Sequence, residues 1–245
     1  MFRALRRALT RKKPTQNEAV VSLTFDDAYE SVYLNAYPSM KECGFTGVIF
    51  VIAGLIGDYF EGHKIMNEKT LREVYRDGWE IGSHTFSHPN PLSFSKFTSE
   101  QCAAEIALSK SKLEKLGFDV ISFSYPHGFC SSGPIMEAVR KSYKYARASN
   151  QGINEMCRSN LFLKAVAFKN DGFNDIKPWI DKVKSEGGWL IIICHGIISD
   201  PTPLPDPVYG WSHKASFDRL LSYLEEKEIR VATFRDLNTS AVRGR

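Results

Sequence analysis

Two adjacent carboxylates, Asp26 and Asp27, end the apolar run Val20-Val21-Ser22-Leu23-Thr24-Phe25. Neighbouring Asp side chains repel each other unless a proton or a positive charge sits between them. Downstream, His84 and His88 are spaced i, i+4, so one turn or a compact loop brings both imidazoles to one cation at about 2.0–2.1 Å. Two His and one carboxylate leave coordination positions open for water, as a hydrolytic metal site requires. His195 follows the most apolar stretch of all, Leu190-Ile191-Ile192-Ile193-Cys194. Its imidazole can give or take a proton near neutral pH. Each group also has a plainer role open to it. The Asp pair can cap a helix opening near Tyr29; His84 can satisfy a backbone amide, His88 can be a loop residue before Pro89, and His195 can be a core histidine.

The elements that must position these residues alternate along the chain. Strands are expected at Val20–Thr24, Gly47–Ile52, Trp79–Ile81, Val120–Ser124, Tyr145–Arg147, Leu161–Phe168, Trp189–Cys194 and Ile229–Thr233. Helices are expected at Tyr29–Cys43, Glu68–Asp77, from an N-cap at Ser99 to Lys115, and at Pro134–Ser142, Ile176–Glu186 and Lys214–Lys227. Near-continuously apolar strands alternating with helices indicate a parallel sheet, and about seven βα units suit a closed or nearly closed barrel. The runner-up is a doubly wound open sheet, although no G-x-G-x-x-G or P-loop follows any strand. In a parallel sheet the polar strand ends at Asp26-Asp27, His84–His88 and His195 project from one face, where such sheets carry chemistry.

Composition narrows the class. The chain has 245 residues, 43% apolar and 24% charged, as a globular protein with a sizeable core would. Cys43, Cys102, Cys130, Cys157 and Cys194 are odd in number and lack a C-x-x-C pair, which argues against a disulfide framework and for a reducing compartment. Much of the positive charge lies in Met1–Lys13, where Arg3, Arg6, Arg7, Arg11, Lys12 and Lys13 interleave with Phe2, Leu5 and Leu9. That segment is either a solvated terminus or a short amphipathic helix that contacts an anionic membrane. The apolar core of a signal peptide is missing, as is a run of about 18 apolar residues, so the expected location is the cytoplasm, free or peripheral at the inner membrane face. Without the tail the chain is close to neutral, and no nucleic-acid partner is expected.

Thr24-Phe25-Asp26-Asp27 followed by His84-Thr85-x-x-His88 resembles the polysaccharide deacetylase family, the NodB-homology or carbohydrate esterase family 4 proteins. Phe123-Ser124-Tyr125-Pro126-His127-Gly128 and Ile193-Cys194-His195 resemble its third and last motifs, in order, over about residues 18 to 236. The resemblance implies a distorted, incomplete (β/α)7 TIM-like barrel of the NodB type. One catalytic domain, 18–238, would lie between a basic tail, 1–17, and a C-terminal tail, 239–245. It also implies Asp27, His84 and His88 as ligands of zinc, with cobalt, nickel or manganese able to substitute. Asp26 would be the base, His195 the acid that protonates the leaving amine, and the backbone N–H of His127 an oxyanion donor. The side chain at His127 departs from the family's usual Tyr. A larger departure is Ser124, which stands where many members carry an Arg that pairs with the base. That Arg's usual acidic partner has only a loose counterpart in Asp171-Gly172-Phe173-Asn174-Asp175.

The implied activity is metal-dependent removal of an N-acetyl group from an N-acetylated carbohydrate, whether nucleotide-linked, lipid-linked or a glycan precursor. Tyr125 and Trp211 are candidate sugar contacts, and Tyr29 and Glu30 candidate cleft residues. Trp211 has a second reading, packed beneath a helix that Ser212 caps. Two further readings stay open: an amidohydrolase acting on a non-sugar C–N bond, and a non-catalytic carbohydrate-binding member of the family.

Overall fold

The apolar runs assemble into one curled parallel sheet. A computed structural model describes residues 18–90, 96–128, 133–156, 160–205 and 210–238. Both tails, Cys130, Cys157 and residues 206–209 lie outside them. At the centre is β1 (Ala19–Phe25), flanked by β2 (Val48–Val51) and β10 (Gly188–Cys194). Beyond β2 the sheet continues through β5 (Glu80–Ser83), β6 (Ser122–Ser124), β7 (Tyr145–Arg147) and β8 (Asn160–Leu163); beyond β10 lies β9 (Val166–Ala167). The ladders along this path are parallel. The strand β11 (Arg230–Val231) adds to the foot of β1. The barrel-like (β/α) expectation is therefore met.

The segment expected as one strand, Leu161–Phe168, is two. β8 pairs with β7 and β9 with β10, so a single bent stretch touches both ends of the curled sheet. Asn154 supplies the physical reason: its side chain accepts from Lys164 N at 2.9 Å and donates to Lys164 O at 2.8 Å. The amide side chain thereby takes both backbone groups of Lys164 out of the ladder.

Alternation along the strands sorts residues to two sides. Val21, Leu23 and Phe25 face the helices, while Val20, Phe50, Tyr145, Trp189, Ile191 and Phe234 fill the barrel. The short helix α7 (Phe234–Leu237) closes the lower end, its Phe234 ring 5.0 Å from Trp189 and 5.8 Å from Phe50. Toward the C-terminal ends of the strands the inward positions turn polar: Ser22, Thr24, Ser124 and Arg147 are all buried. That change of character marks the end at which Asp26 emerges.

Local chemistry explains most helix boundaries. The helix α1 (Tyr37–Cys43) stops at Gly44, whose φ of 71° suits a residue without Cβ. It is preceded by a π-type turn, Val32–Ala36, where Pro38 removes an amide and unsettles the regular register. The helix α2 (Glu68–Arg76) is capped by Asn67. The helix α3 (Ser99–Lys115) is capped by Thr98 rather than Ser99, because Thr98 and Gln101 form a reciprocal capping box. The helix α4 (Gly133–Ser142), α5 (Phe173–Glu186) and α6 (Lys214–Glu226) complete the outer layer. A short hairpin, β3 (Tyr59–Phe60) with β4 (His63–Lys64), lies between β2 and α2. No helix among the described residues is long and apolar enough to cross a membrane.

Candidate active site

Asp26 and Asp27 leave β1 side by side but point apart. Asp26 continues the inward row, its N–H bonded to the Cys194 carbonyl at 2.9 Å. Asp27 and Ala28 both adopt positive φ, 67° and 63°, turning the chain sharply away from the strand. Such conformations persist in non-glycine residues only where the surroundings hold them. The two carboxylates therefore serve different neighbours.

Asp27 faces the histidines. Its Oδ1 lies 3.6 Å from His84 Nε2 and 3.6 Å from His88 Nε2. Two ligand atoms on one tetrahedral ion at about 2.0–2.1 Å stand roughly 3.3–3.4 Å apart, so this spacing fits an ion between them. These residues form a possible metal-holding group, with ligand atoms all within 4.8 Å of one another. Asp27 Oδ1 is buried yet has no hydrogen-bond partner, which a cation would supply. The other ring nitrogen of His84, Nδ1, lies 2.7 Å from the Ser124 carbonyl. A carbonyl only accepts, so Nδ1 carries the proton and Nε2 presents its lone pair to the site.

Electrostatics agree with that assignment. Burial, followed by repulsion from Asp26 and Glu61, pushes the Asp27 carboxyl well above its ordinary range. Burial brings His84 down to about 4 against the pull of Asp26, and brings His88 down to about 2 with help from His84 and His127. Both imidazoles are thus neutral at physiological pH, beside the Asp27 carboxylate.

Asp26 has its own cation, and it is not the expected one. Burial, the largest single effect, would raise Asp26, but the charge and hydrogen bond of Arg147 together with His84 and His195 outweigh it and hold the carboxyl at about 2. Nη2 of Arg147 donates to Asp26 Oδ1 at 2.5 Å and also contacts Oδ2 and Ser124 Oγ, the last at 2.5 Å. The register explains the geometry: Ser124 on β6 lies directly across from Arg147 on β7. A small residue at Ser124 leaves room for a guanidinium entering from the neighbouring strand. Arg147 is 1% exposed, and its guanidinium lies over the Phe50 ring at 5.5 Å. Its strand was expected, but its role was missed. The available signal was parity: Arg147 shares the inward face of Tyr145 at a strand end.

His195 follows β10 as expected and is half-buried. Burial lowers its proton affinity, while the Asp26 charge works in the opposite direction. Gly210 approaches its ring closely: a Cβ there would lie 2.9 Å from Nδ1. His127 sits at φ 55° in a turn closed by Gly128 N to the Tyr125 carbonyl, 2.9 Å. Its exposed ring lies 4.7 Å from that of His88, which brings the third motif beside Asp27, His84 and His88.

The expected sugar contacts are not met. Tyr125 is 1% exposed, packed against Phe123, with its hydroxyl donating to the Leu161 carbonyl at 3.2 Å. Trp211 is 3% exposed and packs on Tyr29 and His63, with ring centroids 4.7 and 4.4 Å apart. Gly196 makes room beneath it, since a Cβ there would fall 2.1 Å from the indole. Both rings are more valuable as core than as platforms, because their apolar area is large. Ser212 does not cap α6; the N-cap is His213, and Ser212 Oγ has no partner. Asp171 pairs with His213 at 2.7 Å rather than with an arginine at the base. Tyr29 is buried, with its hydroxyl 3.5 Å from Glu61 at the tip of the β3–β4 hairpin, which brings the hairpin close to Asp27. A cavity of about 650 Å³ lined by Asn154, Lys164, Trp179 and Lys182 opens near Gly188, at the opposite end of β10 from His195.

Comparison with known proteins agrees with these motifs. A family model described as polysaccharide deacetylase matches residues 13–146. The chain is 32% identical over 143 residues to the Bacillus subtilis (strain 168) protein YxkH, whose name places it among polysaccharide deacetylases; the match covers 58% of this chain and 48% of YxkH. It is 25% identical over 179 residues to a poly-beta-1,6-N-acetyl-D-glucosamine N-deacetylase of Staphylococcus aureus (strain MRSA252), covering 69% of this chain and 61% of that protein. The chain thus spans about half to three fifths of these relatives. The solved structure of IcaB from Ammonifex degensii superposes with a TM-score of 0.60 at 21% identity, over 73% of this chain and 88% of that one, which is a likeness of fold.

Proposed function

The chain belongs to the polysaccharide deacetylase family, and on that premise we propose that it hydrolyses the acetamide of an N-acetylated sugar, releasing acetate and a free amine. Asp27, His84 and His88 would hold the ion, zinc by the donor set. A divalent ion bound there supplies Lewis acidity and a positive charge beside the paired carboxylates.

The protein's own residues account for the proton movements. Asp26 takes a proton from the attacking water as its oxygen bonds to the carbonyl carbon. The N–H of His127 is the donor assigned to the carbonyl oxygen as negative charge develops there. The C–N bond then breaks as His195 delivers a proton to nitrogen, balancing the proton held by Asp26. Burial lowers the proton affinity of His195 and so makes its protonated form a stronger acid toward a poor leaving group. Arg147 keeps Asp26 ionised and fixes its orientation, the task the family usually gives to an Arg on the preceding strand.

One observation supports this reading: an ionised carboxylate paired to a buried arginine stands beside a second carboxylate whose buried Oδ1 has no hydrogen-bond partner and faces two neutral imidazoles. A structural ion pair would not need the second group. The name of the Staphylococcus relative makes β-1,6-linked N-acetylglucosamine oligomers the first substrates to assay, with N-acetylated sugar nucleotides as a second arm. Acetate release should be abolished by a chelator and restored by zinc. Asp26→Asn should bind zinc as the wild type does and lose about 10²–10⁴-fold in turnover. An Asp26→Asn enzyme of undiminished turnover would refute the assignment.

A further inference from the structure

His84 and His88 meet one ion only because the five residues they bound take an unusual course. Thr85 and His88 both have positive φ, 65° and 54°. The loop is bonded along its length: His84 N donates to the Val51 carbonyl at 2.9 Å, Ala53 N to the Thr85 carbonyl at 3.1 Å, and Gly54 N to the Phe86 carbonyl at 2.7 Å. His88 N donates to Thr85 Oγ1 at 3.0 Å. A left-handed residue followed by the next amides turns successive N–H groups toward one point, a concavity that favours an anion. Here those are the N–H groups of Phe86 and Ser87, which no neighbouring backbone satisfies among the described residues.

Both donate to one carboxylate from a different element. Glu105, half-buried on α3, accepts from Phe86 N at 3.0 Å and from Ser87 N at 2.9 Å, both on Oε2. Its Oε1 accepts from Ser87 Oγ at 2.8 Å. Among the described residues, the hydrogen bonds of Glu105 all go to this loop. Without it, the part-buried amide of Phe86 and the exposed amide of Ser87 lose their shared acceptor, and the left-handed turn at Thr85 loses the anion that stabilises it. The loop then has no reason to keep the two Nε2 atoms each 3.6 Å from Asp27 Oδ1.

We propose that Glu105 is a positioning residue for the metal site, its carboxylate filling the amide concavity at Phe86 and Ser87 and thereby holding His84 and His88 on one ion. The proposal rests on the metal reading above. The experiment titrates zinc, and cobalt for its visible absorption, into the metal-free full chain and into Glu105→Gln, Glu105→Ala and His88→Ala. Glu105→Ala should weaken zinc binding about 10–100-fold and alter the cobalt spectrum, as loss of outer-shell support does. Glu105→Gln keeps an acceptor and lacks the charge, so its affinity should fall between the two. Melting of the metal-free proteins separates this from general damage, and should change far less than the affinity. Should Glu105→Ala fail to fold, the Gln variant carries the test alone. Wild-type affinity in both Glu105 variants, with His88→Ala defective, overturns the role of Glu105 and leaves the metal reading intact. An absence of saturable binding in the wild type overturns both.

Discussion

Replacing Arg147 by Met should convert Asp26 from a stabilising group into a destabilising one, and the change has a pH signature. In the metal-free protein the Asp26 carboxyl lies at about 2 against an ordinary 3.8. That difference is worth about 2 kcal/mol at neutral pH. Because the folded value is the lower one, this stabilisation is present above the unfolded value and is lost as pH falls through about 2. In Arg147→Met burial is opposed only by the smaller contributions of His84 and His195, and the folded value should rise above the ordinary 3.8. The ionised carboxylate then costs stability, and stability returns as pH falls and Asp26 takes up a proton. Breaking one side of a buried pair costs about 3–5 kcal/mol, so the deficit should be of that size near neutral pH and should shrink toward about pH 4. Urea unfolding of metal-free protein, followed by tryptophan fluorescence at both pH values, measures it. Titrations common to both proteins cancel in the difference. Adding Asp26→Asn to Arg147→Met should recover part of the loss, because the unpaired charge is gone. Arg147→Lys should not behave as wild type, since an ammonium cannot meet Asp26, Ser124 and the Ala148 carbonyl together. A deficit of equal size at both pH values would refute this account, because the loss would then be of packing rather than of charge compensation.

Other consequences follow from the same geometry. Burial and the neighbouring Asp26 charge raise the proton affinity of Asp27, so protons compete with zinc there: apparent affinity should strengthen as pH rises and binding should release protons, readable by calorimetry in buffers of different ionisation enthalpy; an affinity flat with pH would argue that Asp27 is not a ligand. Gly54→Ala places a Cβ 2.4 Å from the Phe86 carbonyl, and should cost about 1–3 kcal/mol in stability and weaken zinc binding by displacing the histidine loop. His213 has Nδ1 2.7 Å from Asp171 and Nε2 2.8 Å from the Thr202 carbonyl. Both partners only accept, so the ring is doubly protonated there and its proton affinity is raised, by the Asp171 bond first. The raised folded value means that this stabilisation is present below 6.5 and is lost as pH rises through the folded value. Because the ring is partly solvated, its loss in His213→Gln should be under about 1 kcal/mol at pH 6 and vanish by about pH 9; protease nicking of the 199–205 loop gives an independent readout, and a pH-independent effect would contradict it.

What could be read from residue order and what could not differ for a physical reason. Asp26, Asp27, His84, His88 and His195 were legible because each stands where an apolar strand ends, and a parallel sheet brings those ends to one face. Nothing further about register is needed to place them together. Arg147 needed register. Its meaning depends on lying opposite Ser124, and no pattern within Tyr145-Ala146-Arg147 reveals which residue stands across the ladder. The same holds for Leu161–Phe168, where continuous apolar character concealed a break imposed by Asn154 from outside the segment. Tyr125 and Trp211 were misplaced because an aromatic ring near a site satisfies either core or cleft, and the deciding neighbours, Phe123 for one and Gly196 for the other, are set by packing. The Ser124 and Arg147 pair shows the general point. The proposed chemistry calls for a guanidinium at the inward edge of Asp26, not at a given place in the chain, and adjacent parallel strands in register offer two routes to that point. A small residue on one strand is what opens the other route. The pair should therefore respond together: Ser124→Arg alone should clash with the buried guanidinium, whereas Ser124→Arg combined with Arg147→Ser should be better tolerated than either single change.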